Sequence, residues 1–146
     1  AVTMAVLHGR AEGAGLSLAA RSDIVLAADE AQLSFPEIPH GIPPTVVLSH
    51  FRYVLPPNLL GDMIYSGRVL EGREAVAAGL AARTASATDI AQLAGSLATQ
   101  IASYDRRSIQ LVKTFLGATE SLPPRDAPAL GISLYANEMS HRFLKA

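Results

Sequence analysis

The chain contains no cysteine, so neither a disulfide frame nor a thiolate metal site is open to it. Charge is scarce too: 17% of residues are Asp, Glu, Lys or Arg, and 12 basic side chains nearly balance 13 acidic ones for a formal charge of −1. No basic face stands out, which argues against nucleic acid as the main partner. No uncharged run is long and apolar enough to span a bilayer, so no membrane partner is expected. His8, His40, His50 and His141 include no pair at metal-ligand spacing, and no metal is expected. The first residues lack the basic stretch of a signal peptide, and a cytoplasmic setting is expected. They open directly in AVTMAVLHG, which reads as a buried strand, so a longer parent protein is the expectation.

What is present is apolar. Hydrophobic residues make up 49% of the 146, enough for a sizeable core or a large buried interface. Val2 to Leu7 reads as a strand, GLSLAARS as a helix of about two turns, and DIVLAADEAQLSF as two strands around a polar turn at Asp29 and Glu30. Prolines crowd residues 39 to 57, which reads as a loop with a short helix around Thr45 to Tyr53. After Pro57 the pattern is helical throughout. NLLGDMIYSG stops at Gly67 and GREAVAAGL at Gly79. Ser86 or Thr88 is placed to cap a helix with Ile90, Leu93, Ala94, Leu97 and Ile101 on one face. Asp105 is placed to cap the next, with Ile109, Val112 and Phe115 inward and Gly117 at its end. The last helix, Asp126 to Lys145, aligns Ile132, Tyr135, Ala136, Met139 and Phe143.

The stretch LHGRAEGAGLSLAARSD places Gly9, Gly13 and Gly15 just ahead of a helix. Glycine is kept where backbone must turn unusually or come close to something. A dinucleotide fingerprint fails, because Gly13 and Gly15 are followed by Leu18 at the third glycine position. A phosphate loop fails, because Leu16 follows Gly15 where lysine is needed. GLSLA is one residue from a nucleophile elbow, which keeps a serine hydrolase with Ser17 as nucleophile as a rival; His8 lies too near in sequence for that fold. A strand running through a glycine turn into a helix fits better with main-chain N–H groups at the helix's positive end, an oxyanion hole. One such donor contributes about 2.7–4 kcal/mol in a transition state.

That arrangement resembles the crotonase superfamily, the enoyl-CoA hydratases and isomerases. HGRAEGAGLSLAARSDIVLAADEAQLSFPEI is similar to the family's H/N-G-x-A-x-G-G-G-x-x-L-A-x-x-C-D followed by A-x-F-x-x-P-E, and YSGRVLEGREAVAAGLAARTA to its T-G-x-x-x-x-A-x-E-A-x-x-x-G-L-V. The resemblance implies an α/β fold, a ββα spiral core with a helical C-terminal oligomerisation region, divided as residues 1–57 and 58–146. It implies an acyl-CoA thioester as substrate, with coenzyme A part of that substrate and no separate cofactor. The middle glycine of the family's triplet, which supplies one oxyanion N–H, is Ala14 here, and Gly13 and Gly15 flank it in the substrate-binding turn. The family's first catalytic glutamate is replaced by Ser17; the second is present as Glu37. Hydration uses two acid–base groups to hold and split a water, whereas shifting a double bond can use one, so a single carboxylate looks isomerase-like. Phe35 and Pro36 give Glu37 an apolar setting suited to a general base. His40 reads either as pocket wall or as a plain loop residue, and Pro44 as part of the acyl pocket. The family's other oxyanion donor lies upstream of the motifs seen here. A homotrimer or hexamer is implied, with the last helix at the contacts. The alternative is a non-catalytic crotonase-fold acyl-CoA-binding or assembly subunit.

Overall fold

A computed structural model describes residues 1–143. Strands interleaved along the chain form two three-stranded sheets. β1 (Met4–Leu7), β3 (Ile24–Ala28) and β6 (Arg83–Ala85) form one, parallel throughout, in the order β1-β3-β6. β2 (Arg10–Glu12), β4 (Gln32–Ser34) and β5 (Leu70–Glu71) form the other, with β4 parallel to β2 and antiparallel to β5. The chain leaves the first sheet at Gly9, whose φ of +69° only glycine adopts cheaply, and enters the second at Arg10. It then forms α1 (Gly13–Ala20). The next segment repeats the path one layer on: β3, the turn at Asp29 and Glu30, then β4. A 2.7 Å bond from the Gln32 amide to the Gly9 carbonyl joins the two corners. The result is a ββα spiral.

Sequence explains the packing. β3 is IVLAA and is buried from Val25 through Ala28, as a strand flanked on both edges requires. Leu16 of α1 and Leu33 of β4 are fully buried, and Phe35 meets Phe51 edge-to-face at 4.9 Å. Phe51 ends α2 (Thr45–Phe51), which follows a short 3-10 turn at Ile38–His40. α3 (Pro57–Tyr65) buries Leu60, Met63 and Ile64. α4 (Gly72–Ala77) starts with a capping box between Glu71 and Glu74, and a Cβ on Gly72 would stand 1.9 Å from the Ala28 carbonyl oxygen. Asp29 ties this corner together, accepting from Thr84 and, at 2.8 Å, from Arg73.

The chain divides into two compact units. Thr3–Thr99 holds both sheets. The other comprises Ala1–Val2 and the stretch from Gln100 onward. In the second unit, α6 (Arg106–Thr119) and α7 (Ala127–Phe143) border an open groove of about 340 Å³ lined by Leu111, Phe115, Leu134 and Met139 among others. Glu138 on α7 is buried and paired with Arg107. As the sequence predicts, the Asp105 carboxylate caps α6, accepting from the Ser108 amide at 2.8 Å.

Several local expectations change. The chain after Pro57 is not wholly helical, because β5 and β6 lie there. Each has only two or three residues, too few to show a period, and is fixed by its neighbour strand. α5 (Ile90–Ala102) begins where the Ser86 carbonyl accepts from Ile90, while the Ser86 hydroxyl donates to Asp89. Ile90 and Leu97 are buried on the expected face. α6 continues past Gly117 to Thr119, and Val112 is 58% exposed rather than inward. The predicted end of the last helix at Lys145 lies outside the described residues.

Candidate active site

Of the three glycines of the opening turn, two have a structural reason. Gly9 turns the chain between sheets. Gly13, with φ +47°, turns it from β2 into α1 and also makes room: a Cβ there would sit 2.1 Å from Glu37 Oε1 and 3.0 Å from its carboxyl carbon. A side chain there would have to push the Glu37 carboxylate aside. Gly15 has ordinary φ, and a Cβ on it would meet nothing within 4 Å. Nothing within this chain requires glycine at that position.

The carboxylate that fills the space beside Gly13 comes from the second spiral layer. β4 ends at Ser34, and Phe35 and Pro36 lead to Glu37 at the start of the 3-10 turn. The Glu37 backbone is held firmly, its carbonyl accepting from the amides of His40 at 3.0 Å and Ile42 at 3.1 Å. Gly41, with φ +71°, closes the turn. The side chain reaches α1 with Oε2 buried and without a hydrogen-bond partner. A buried polar oxygen left unpaired is unfavourable, and a group that a ligand or reaction uses is one of the settings in which native structures keep it.

Ala14 and Gly15 form the exposed first turn of α1. Their amides have no acceptor within the helix and carry its positive end. Ser17 is half-buried, one turn further along α1. An elbow serine sits at the strand-to-helix turn itself; here that position is Gly13, so the geometry does not favour Ser17 as a nucleophile. His40 is exposed at the end of the 3-10 turn, and Pro44 is buried at the start of α2. Among the described contacts, Gly13 and Glu37 are the pair of expected site residues brought directly together.

The pair Glu12 and Ser34, with Arg10 beside it, escaped the sequence reading. Glu12, the last residue before α1, does not cap the helix with its side chain. Its Oε1 instead accepts from Arg10 Nη2 at 2.5 Å, from Arg10 Nε at 3.1 Å and from the Ser34 hydroxyl at 3.2 Å. The Arg10 guanidinium holds the Glu12 carboxyl below the usual carboxylate range. Recognising Arg10–Glu12 as a strand, with its parallel partner at Gln32–Ser34, is the signal that would have found this pair.

Residues 1–142 match the family model described as Enoyl-CoA hydratase/isomerase. A carnitinyl-CoA dehydratase of Proteus mirabilis is 32% identical over 120 residues, 82% of this chain and 46% of that protein. A carnitinyl-CoA dehydratase of Escherichia coli K12 is 29% identical over 125 residues, 85% of this chain and 48% of that protein. Among solved structures, an enoyl-CoA hydratase of Mycobacterium smegmatis superposes with a TM-score of 0.90 at 19% identity, over 95% of this chain and 54% of that one. The human enoyl coenzyme A hydratase domain-containing protein 3 gives 0.89 at 21% identity, over 94% and 54%. The chain spans about half the length of the curated relatives it matches. Matched by that family model over residues 1–142 and by a relative 32% identical over 82% of its length, the chain belongs to the enoyl-CoA hydratase/isomerase family of the crotonase superfamily.

Proposed function

We propose that the unit Thr3–Thr99 carries the thioester site of an acyl-CoA enzyme in which Glu37 is the single acid–base, and that the helices from Gln100 onward serve its assembly as a trimer or hexamer. The observation that carries this reading is the Glu37 carboxylate, with Oε2 buried and unpartnered beside Gly13 at the positive end of α1. An acidic C–H of a bound substrate supplies the missing partner. Glu37 takes a proton from carbon in the chain next to the thioester carbonyl, and the electron pair moves onto the carbonyl oxygen. The Ala14 N–H, at the positive end of α1, donates to that oxygen, together with a second donor from the part of the relatives' length that this chain does not span. Return of the same proton to a different carbon moves the double bond, with no oxidant or reductant. Ser17 in place of a second carboxylate fits this one-base shift better than the splitting of water. Gly13 and Gly15 let the thioester approach, and His40 and Pro44 border its acyl part. Coenzyme A enters only as part of the substrate.

Ser17 and Ala14, both departures from the family pattern, favour a second reading: a non-catalytic subunit that keeps the fold. Purified protein with a β,γ-enoyl-CoA, an α,β-enoyl-CoA and acetoacetyl-CoA separates the cases. Conversion of either enoyl thioester supports the enzyme, whereas binding of acetoacetyl-CoA with neither converted supports the binding subunit. Loss of all turnover on Ser17→Ala would instead assign Ser17 a chemical role.

A further inference from the structure

β2 and β4 run parallel for three residues and then part. Glu12 and Ser34 are the last paired residues. Beyond Glu12 the chain enters α1 at Gly13; beyond Ser34 it runs through Phe35 and Pro36 to Glu37. The two arms meet again where the Glu37 carboxylate packs on Gly13. At the root of this fork the Ser34 hydroxyl donates to Glu12 Oε1 at 3.2 Å. Ser34 is only 6% exposed, so its hydroxyl depends on a partner within the protein. Arg10 donates twice to the same Glu12 oxygen, at 2.5 and 3.1 Å, and so fixes where that oxygen stands. Glu12 leaves the cap of α1 unmade in order to do this.

We propose that Glu12 and Ser34 are positioning residues, a side-chain clamp at the root of the fork that sets the Glu37 carboxylate against the first turn of α1. The inference rests on the reading of Glu37 as the base. The clamp touches neither substrate nor the reacting atoms. It acts on the spacing between two groups that come from different layers of the spiral, joined there by only three rungs of ladder. Misplacing a catalytic group by about 1 Å costs up to roughly 10²-fold in rate.

The test uses Glu12→Ala, Glu12→Gln, Ser34→Ala and the double variant Glu12→Ala/Ser34→Ala in the full chain, with rates expressed per folded molecule. Glu12→Gln keeps an oxygen that accepts from Ser34 and Arg10. Expected are a roughly 10-fold or greater loss of kcat in Glu12→Ala and in Ser34→Ala with KM within about twofold, recovery in Glu12→Gln, and a double variant no worse than either single one. Equal loss in Glu12→Gln and Glu12→Ala, or kcat unchanged in Ser34→Ala, overturns the clamp. The carboxyl carbon resonance of Glu37 supplies a readout without turnover. It shifts in Glu12→Ala and Ser34→Ala and returns in Glu12→Gln if the clamp holds Glu37. If the parent converts no thioester, the base assignment falls and this resonance decides the clamp by itself; a signal unmoved in both Ala variants refutes it.

Discussion

The unit Thr3–Thr99 and the unit that begins at Gln100 bury their apolar side chains to very different degrees. The first contains fully buried Leu16, Leu26, Leu33, Phe35, Phe51, Met63 and Leu70. In the second, Glu138 alone is buried among the described residues, while Val112, Leu116, Ile132, Tyr135 and Phe143 are all more than half exposed. Large apolar side chains left this exposed along successive helices are the surface that the proposed assembly would cover. The strand unit has its own core and the candidate site, although Leu18, Val46, Tyr53 and Tyr65 stand exposed on it; the helical unit has apolar surface with almost no buried core among the described residues. In the proposed reading catalysis and assembly fall to different parts of the chain, and the variants below separate them.

The largest expected effect is in the strand unit. Glu37→Gln keeps size and removes the base, and is expected to lower kcat by about 10²–10⁴-fold with substrate binding little changed, as measured by steady-state turnover and calorimetry. Wild-type turnover in this variant would remove Glu37 from the mechanism. Gly13→Ala is next. Its methyl would enter the space of the Glu37 carboxylate at a backbone φ of +47° that alanine adopts poorly. Expected are a fall in kcat of about 10²-fold, from displacement of the base, and a lowered melting temperature. Gly15→Ala, where a Cβ meets nothing within 4 Å, is the control that retains the fold with little change in melting temperature.

The helical unit is probed by Tyr135→Asp, at a side chain 67% exposed. If the proposed trimer or hexamer uses this face, light scattering finds the parent oligomeric and the variant reduced to monomer, since a buried side chain of this size contributes roughly 1.5–3 kcal/mol per copy and a charge cannot replace it. A parent that is monomeric at micromolar concentration, or a variant with unchanged mass, breaks the division of labour drawn above.

Much of this was legible in the residues. The apolar runs at Val2–Leu7 and in DIVLAADEAQLSF correspond to β1, β3 and β4, and the Pro-Glu step and glycine turn supply the two segments that meet at Gly13 and Glu37 in the candidate site. What was hidden follows from pairing. β2, β5 and β6 are two or three residues long and become strands only because β4 and β3 lie beside them. The contact between Gly13 and Glu37 depends on that register, so the glycine pattern announced a tight turn but not which group would occupy the space beside it. On α6 the helical period was readable, yet Val112 stays outward, because period alone does not say which apolar residues find cover.

The smallest effect expected is at the cap of α6, and it tests whether the helical unit has stability of its own. Asp105 accepts from the Ser108 amide at 2.8 Å and from the Ser108 hydroxyl at 2.7 Å. Asp105→Ala removes an N-cap and is expected to lower stability by about 1 kcal/mol, whereas Asp105→Asn, whose side-chain oxygen still accepts from the amide, retains most of it. Thermal unfolding followed by circular dichroism measures the difference. A single transition shifted downward means the helices unfold together with the strand unit. A small early transition that alone moves with Asp105→Ala means they unfold separately, as expected of helices whose apolar faces are completed by a neighbour. Equal melting of the Ala and Asn variants would show that the capping bond contributes nothing measurable.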